Sequence, residues 1–257
     1  MIKATVHLLL VTLTVFAATI ARAADTPNVA VAANLNFAMP EIAAVFKQKT
    51  GREVKLAFGA SGNFSRQIRA GAPFELFLSA DEASVKALSD SGRALGEGAI
   101  YAVGRLALFV PATSSLAIDV ELKGLAAALK AGAVRRVAIA NPELAPYGVA
   151  AREVLRHQGL WDALAGRIVL GENVNQTAQF ALAGGVDAAF LPLSIVTTRG
   201  FAGKGRWVLL PETLHQPIRQ RMVLLKGAGA TARLFYDFMR GVEARSILER
   251  YGFTVPR

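Results

Sequence analysis

Strand-sized apolar runs alternate with helix-period segments along almost the whole chain, and they do so in two successive series. The first series reads as a strand over 28–33 (NVAVAA), then a helix over 37–49 in which Met39, Ile42, Ala43, Val45 and Phe46 recur at helical spacing. A strand over 53–58, a helix over 63–70, a strand over 74–79 (FELFLS) and a helix over 82–91 follow. The run 101–110 (YAVGRLALFV) reads as one long strand crossing into the second series, which continues with a helix near 122–130 and a strand at 136–140. Next come a helix at 147–157, a strand at 167–170, a helix at 174–183 and a strand at 188–193. Residues 218–226 (IRQRMVLLK) read as a return strand, with amphipathic helices at 232–239 and 242–250 after it. Alternation of this kind predicts an α/β fold of mostly parallel sheets flanked by helices. The expected organisation is a discontinuous lobe I (24–104 with 216–257) and a lobe II (105–215), with a cleft between them.

Four stretches place a small polar residue where a strand would give way to a helix: Ala33-Asn34-Leu35-Asn36, Gly59-Ala60-Ser61-Gly62-Asn63, Ala145-Pro146-Tyr147-Gly148 and Asn173-Val174-Asn175-Gln176. The first N–H groups of a helix lack intrahelical partners and carry the positive end of its dipole. Several such ends converging can hold a dianion without a side-chain cation. Ligands of open α/β sheets sit beyond the carboxyl ends of the strands, which is where these turns fall. Two turns belong to each expected lobe, so the predicted site lies in the cleft.

Each turn offers two roles. Asn34 either caps the following helix or donates to a ligand oxygen. Ser61, among glycines that let a backbone approach closely, caps its helix or adds a hydroxyl donor. Pro146 suits the first helical position and leaves the Tyr147 N–H among the orphan donors, while the ring either packs or donates through its phenol. Asn173 is a natural N-cap, which frees the Val174 N–H to reach a ligand although its side chain is apolar. Ser61 is a poor hydrolase nucleophile, because Asn63 stands where a G-x-S-x-G elbow needs its last glycine. Glu143 and Glu172 flank two of the turns and oppose a dianion only if they point inward.

The first 23 residues carry Lys3, an apolar run from Leu8 to Ile20 and the small-x-small triplet Ala21-Arg22-Ala23. They read as a cleavable export signal at 1–23, too short and too interrupted by threonines for a spanning helix. Export leads to an oxidising compartment, yet the chain has 0 Cys, so its stability must come from its core. The net charge of +10 becomes +8 without Lys3 and Arg22. The basic residues are scattered with no aromatic-interleaved stripe, which argues against nucleic acid as a partner. No H-E-x-x-H, P-loop, EF-hand or G-x-G-x-x-G motif occurs, so nothing marks a free metal cation or a nucleotide cofactor.

At these residues the sequence resembles the periplasmic molybdate-binding proteins of ABC importers, which also bind tungstate. The landmarks are Val31 to Leu35, Phe58 to Gly62, the run from Gly71 to Asp81, Asn141-Pro142 through Gly148, and the ending Tyr251-Gly252-Phe253. The resemblance implies a type II periplasmic-binding fold that closes on a tetrahedral oxyanion. It also implies a monomeric carrier without cofactor or catalysis, and a membrane permease as partner. Carried over by position, the ligand residues are Asn34, Ser61, Tyr147 and Val174, with the Ala33 backbone as a weaker candidate; the metal is held through its oxygens. Many members have serine at the position of Asn34 and alanine at that of Tyr147. This chain resembles the subgroup in which the asparagine and the tyrosine take over those contacts.

Overall fold

The computed structural model describes residues 26–256, so the expected signal at 1–23 lies outside the described residues. The first series builds β1 (Asn28–Ala32), α1 (Ala38–Thr50), β2 (Lys55–Gly59), α2 (Ser61–Arg69), β3 (Leu76–Leu78), α3 (Ala83–Asp90) and β4 (Ala99–Gly104). The second builds β5 (Leu106–Pro111), α4 (Lys123–Lys130), β6 (Val137–Ala140), α5 (Pro146–His157), β7 (Ile168–Gly171), α6 (Val174–Leu182), β8 (Ala188–Pro192), α7 (Leu193–Val196) and β9 (Gly205–Leu209). The chain ends with β10 (Ile218–Leu224), α8 (Ala230–Met239) and α9 (Val242–Arg250).

Two five-stranded sheets result, ordered β2-β1-β3-β10-β4 and β7-β6-β8-β5-β9. They share one plan. In the first, β1 runs parallel to β2 and β3 while β10 is antiparallel to β3 and β4. In the second, β6 runs parallel to β7 and β8 while β5 is antiparallel to β8 and β9. The antiparallel strand of each sheet is the one by which the chain enters it from the other, so β5 and β10 occupy equivalent places.

Two expectations need correction. The run 101–110 is not one strand: Arg105 separates β4 of the first sheet from β5 of the second. Gly104-Arg105 interrupts the apolar run where the sheets change, but such a pair also occurs within single strands and the residues on both sides are apolar. The second is β9, which has no counterpart in the sequence reading; it is an edge strand whose Arg206 and Trp207 are exposed, so its alternation is weak.

Helix α1 shows how local signals become packing. Its apolar stripe buries Ala38, Met39, Ile42 and Phe46. Gly51 ends it in the left-handed region (φ 68°), with its N–H donating to the Lys47 carbonyl at 2.8 Å. The fully buried Phe46 ring meets Phe235 and Phe238 edge-on at 4.9 and 5.4 Å, which fastens the C-terminal α8 to α1. No helix among the described residues is long and apolar enough to cross a membrane.

Truncating Phe46 removes the ring that joins α1 to α8. Phe46→Ala is expected to lower stability by about 3–5 kcal/mol and to shift a single cooperative urea transition to lower midpoint. A loss below about 1 kcal/mol, the level of a tolerated core exchange, would contradict this packing role.

Candidate functional site

Strands β1, β2, β6 and β7 all end in the polar turns singled out above, and the four turns meet. They surround a narrow chamber of about 10 Å³, lined by Ala32, Ala33, Asn34, Gly59, Ala60, Ser61, Ala80, Ala145, Pro146, Tyr147, Asn173 and Val174. The structure therefore brings Asn34, Ser61, Tyr147, Val174 and the Ala33 backbone to one place. Asn34, Ser61, Tyr147 and Val174 are each 1–3% exposed, and no charged side chain lines the chamber. A wider groove of about 320 Å³ lies alongside, where three carboxylates, Asp81, Glu82 and Glu153, outnumber the one cation, Arg219.

Three helices open on the chamber. Ser61 is the first residue of α2, Pro146 and Tyr147 open α5, and Val174 opens α6. Asn173 caps α6, its Oδ1 accepting from the N–H groups of Asn175 (2.9 Å) and Gln176 (3.2 Å), and leaves the Val174 N–H over. Among the described residues, the N–H groups of Ser61, Tyr147 and Val174 find no protein acceptor. These are the orphan donors of helix termini, and here they are buried rather than solvated.

The side chains add to this set. The Ser61 hydroxyl does not cap α2; its oxygen accepts from the Ala80 N–H at 2.9 Å, which leaves the hydroxyl proton for the chamber. Its partner is thus a backbone amide and not a general base, so no nucleophile is built here. Asn34 does not cap α1 either: it lies in a 3₁₀ turn, Ala33–Leu35, and Phe37 holds the cap position. Its Nδ2 contacts Gln220 Oε1 at 3.0 Å, and its Oδ1 is buried with no protein partner. Burial pushes the Tyr147 phenol well above its ordinary pKa, against the opposing effect of the Gln220 and Asn34 amides, so it stays protonated.

Both flanking carboxylates are drawn aside. Glu143 pairs with Arg152 at 3.2 Å, and Glu172 accepts from Asn63 Nδ2 at 2.7 Å. The Asn63–Glu172 bond also crosses the cleft. So do the Gly62 N–H to the Leu144 carbonyl (2.9 Å) and the Ser194 hydroxyl to the Asn34 carbonyl (2.8 Å). A Cβ on Gly62 would stand 2.9 Å from the Leu144 oxygen, so only glycine allows this approach.

Behind the chamber lies a buried polar group that the sequence reading missed: Gln220, Tyr101 and the Ser79 carbonyl. Tyr101 Oη lies 2.9 Å from Ser79 O and 2.8 Å from Gln220 Oε1, and Gln220 Nε2 lies 3.3 Å from Tyr147 Oη. Gly104 leaves room for them, since a Cβ there would meet Tyr147 Oη at 2.1 Å and Gln220 Nε2 at 2.6 Å. One signal was available: Gln220 occupies the inward phase of β10, between buried Ile218 and Met222, where an apolar residue is expected.

The family of bacterial extracellular solute-binding proteins matches residues 27–254. The molybdate-binding protein ModA of Rhodobacter capsulatus is 41% identical over 228 residues, covering 88% of this chain and 86% of that one. The solved periplasmic molybdate-binding protein of Azotobacter vinelandii superposes with a TM-score of 0.82 at 33% identity, over 90% of this chain and 100% of that one. The sulfate-binding protein SubI of Mycobacterium tuberculosis, with a TM-score of 0.73 at 16% identity over 89% and 86%, shares the fold. The chain belongs to the bacterial extracellular solute-binding proteins, which hold and release a ligand without turnover and without a cofactor.

Proposed function

We propose that the chamber binds a fully ionised tetrahedral oxyanion, molybdate or tungstate, and that the protein carries it in the periplasm to the membrane permease of an ABC importer. The observation that carries this reading is the meeting of three buried, unpartnered helix N-terminal N–H groups in one uncharged chamber. The names of the relatives point to the same ligand. Residues 1–23 act as the export signal, and the mature chain works as a monomer.

The ligand residues are Asn34 and Ser61 from one side and Tyr147 and Val174 from the other, with Ala33 contributing backbone. Hydrogen bonds to a charged group contribute about 1.5–3 kcal/mol each, so some six neutral donors suffice for submicromolar binding after desolvation and ordering. Residues 24–104 with 216–257 move as one lobe and 105–215 as the other. Supporting this division, the chain passes between the sheets only at Arg105 and between β9 and β10. The anion biases the open–closed equilibrium by supplying acceptors that exist only in the closed state.

Removing the Ser61 hydroxyl takes away one donor and leaves the backbone in place. Ser61→Ala is expected to weaken molybdate binding at least several-fold in calorimetric titration with the fold intact by circular dichroism; unchanged affinity would remove Ser61 from the site.

Gly62→Ala sets a methyl group against Leu144 and props the cleft. The expected result is a loss of affinity of about tenfold or more, roughly 1.4 kcal/mol, with little change in thermal stability. Wild-type affinity in this variant would show that the observed closure is not the binding state.

Because every proposed donor is neutral and the Tyr147 phenol ionises only above its ordinary range, affinity is expected to stay flat from about pH 6.5 to 9. A steep fall across that interval would require a titrating cation in the site.

A further inference from the structure

The polar group behind the chamber does not balance when its protons are counted. With Gln220 Oε1 turned toward Tyr101 and Asn34, the single Tyr101 hydroxyl proton faces two oxygens that only accept, Ser79 O at 2.9 Å and Gln220 Oε1 at 2.8 Å. One of these short contacts is then left without a proton. In the same arrangement Asn34 Oδ1 is a buried acceptor with no donor. An unpaired buried polar atom is costly, and this arrangement contains two defects.

A half-turn of both amides exchanges their oxygens and nitrogens in place; it removes the first defect and turns the second from a buried acceptor into a buried donor. Gln220 Nε2 then donates to Tyr101 Oη and to Asn34 Oδ1, the Tyr101 proton goes to Ser79 O, and Gln220 Oε1 accepts the Tyr147 hydroxyl proton. The Asn34 Nδ2 protons alone are then left without a protein acceptor. The consequence is at the chamber, where the Asn34 atom without a protein partner becomes Nδ2, a donor.

Gln220 is placed for this task. The β10–β4 register shifts between Gln220 and Arg221, and such bulges re-aim side chains next to sites. Arg219 and Arg221 on either side are held away by Glu82, at 2.7 Å from each, so the fully buried Gln220 meets the network as a neutral amide. Gly104 keeps the space it needs open.

We propose that Gln220 is a positioning residue that fixes the Asn34 amide with Nδ2 toward the chamber, making the site all-donor and so selective against oxyanions that keep a proton. This rests on the oxyanion reading above. With the amide reversed, Oδ1 would accept the proton of hydrogen phosphate; with Nδ2 inward, Asn34 offers that proton no acceptor.

The test compares the wild type and Gln220→Met by calorimetry with molybdate, and by competition with inorganic phosphate at neutral pH. Methionine keeps the volume and releases Asn34. Expected are a fall in molybdate affinity of about tenfold and phosphate competition that is measurable only in the variant. A merely structural role would weaken both anions alike and leave their ratio unchanged, which would overturn the inference. A second measurement needs no variant. In ¹⁵N–¹H spectra of the wild type, the Asn34 side-chain NH₂ signal is expected to shift on adding molybdate, and an unmoved signal in a protein that binds would overturn it too. A wild type that does not bind molybdate would instead defeat the oxyanion reading beneath.

Discussion

The structure turns on helix N-terminal N–H groups that are buried and left without a protein acceptor. Ser61, Tyr147 and Val174 each begin a helix, and each offers an N–H that its own helix cannot use. In water such a group is satisfied by solvent, but in a closed cleft it is a standing cost unless something else accepts. Two sheets of identical plan aim their carboxyl ends at one chamber, which collects these groups from both sides. An acceptor-only ligand resolves all of them at once, so the fold and the proposed ligand are two parts of one solution.

The remaining features follow from keeping that chamber small and free of charged side chains. Glycine appears where a Cβ would intrude: Gly62 against Leu144, Gly104 against Tyr147 and Gln220, and Gly148, whose Cβ would stand 2.0 Å from the Ala140 oxygen. Carboxylates near the rim are paired outside it, Glu143 with Arg152 and Glu172 with Asn63. The donors are neutral because a lysine or arginine would hold any anion, protonated or not. Discrimination by donor count needs a rigid network, and Tyr101, Gln220 and Ser79 provide it from the first sheet. Bonds that cross the cleft, such as Gly62 to Leu144, add stability only to the closed form and link binding to closure.

Much of the fold was legible because each strand and helix carries its own periodicity, and the turns are marked by residues with a mechanical reason to be there. Pro146 at the start of α5 and Asn173 capping α6 are examples. Asn34, Ser61, Tyr147 and Val174 could be singled out for the same reason, and they do line one chamber. What sequence could not convey was three-dimensional. The break at Arg105 is marked only by Gly104-Arg105 within an otherwise apolar run, a pair that a single strand can also hold. The edge strand β9 is half-exposed and lacks clean alternation. Neither Asn34 nor Ser61 caps its helix, since the 3₁₀ turn moves the first and Ala80 engages the second. Gln220 showed only as a polar residue on an inward phase, and its partners Tyr101 and Tyr147 come from distant parts of the chain.

The most direct measurement is isothermal titration of the mature chain, stripped of ligand, with molybdate, tungstate, sulfate and phosphate in turn. Tight one-to-one binding of molybdate and tungstate, with little or no heat from phosphate, is the predicted result. Silence from both of those anions would contradict the account, and it would mean that the family relationship carries the fold while the chamber serves another ligand.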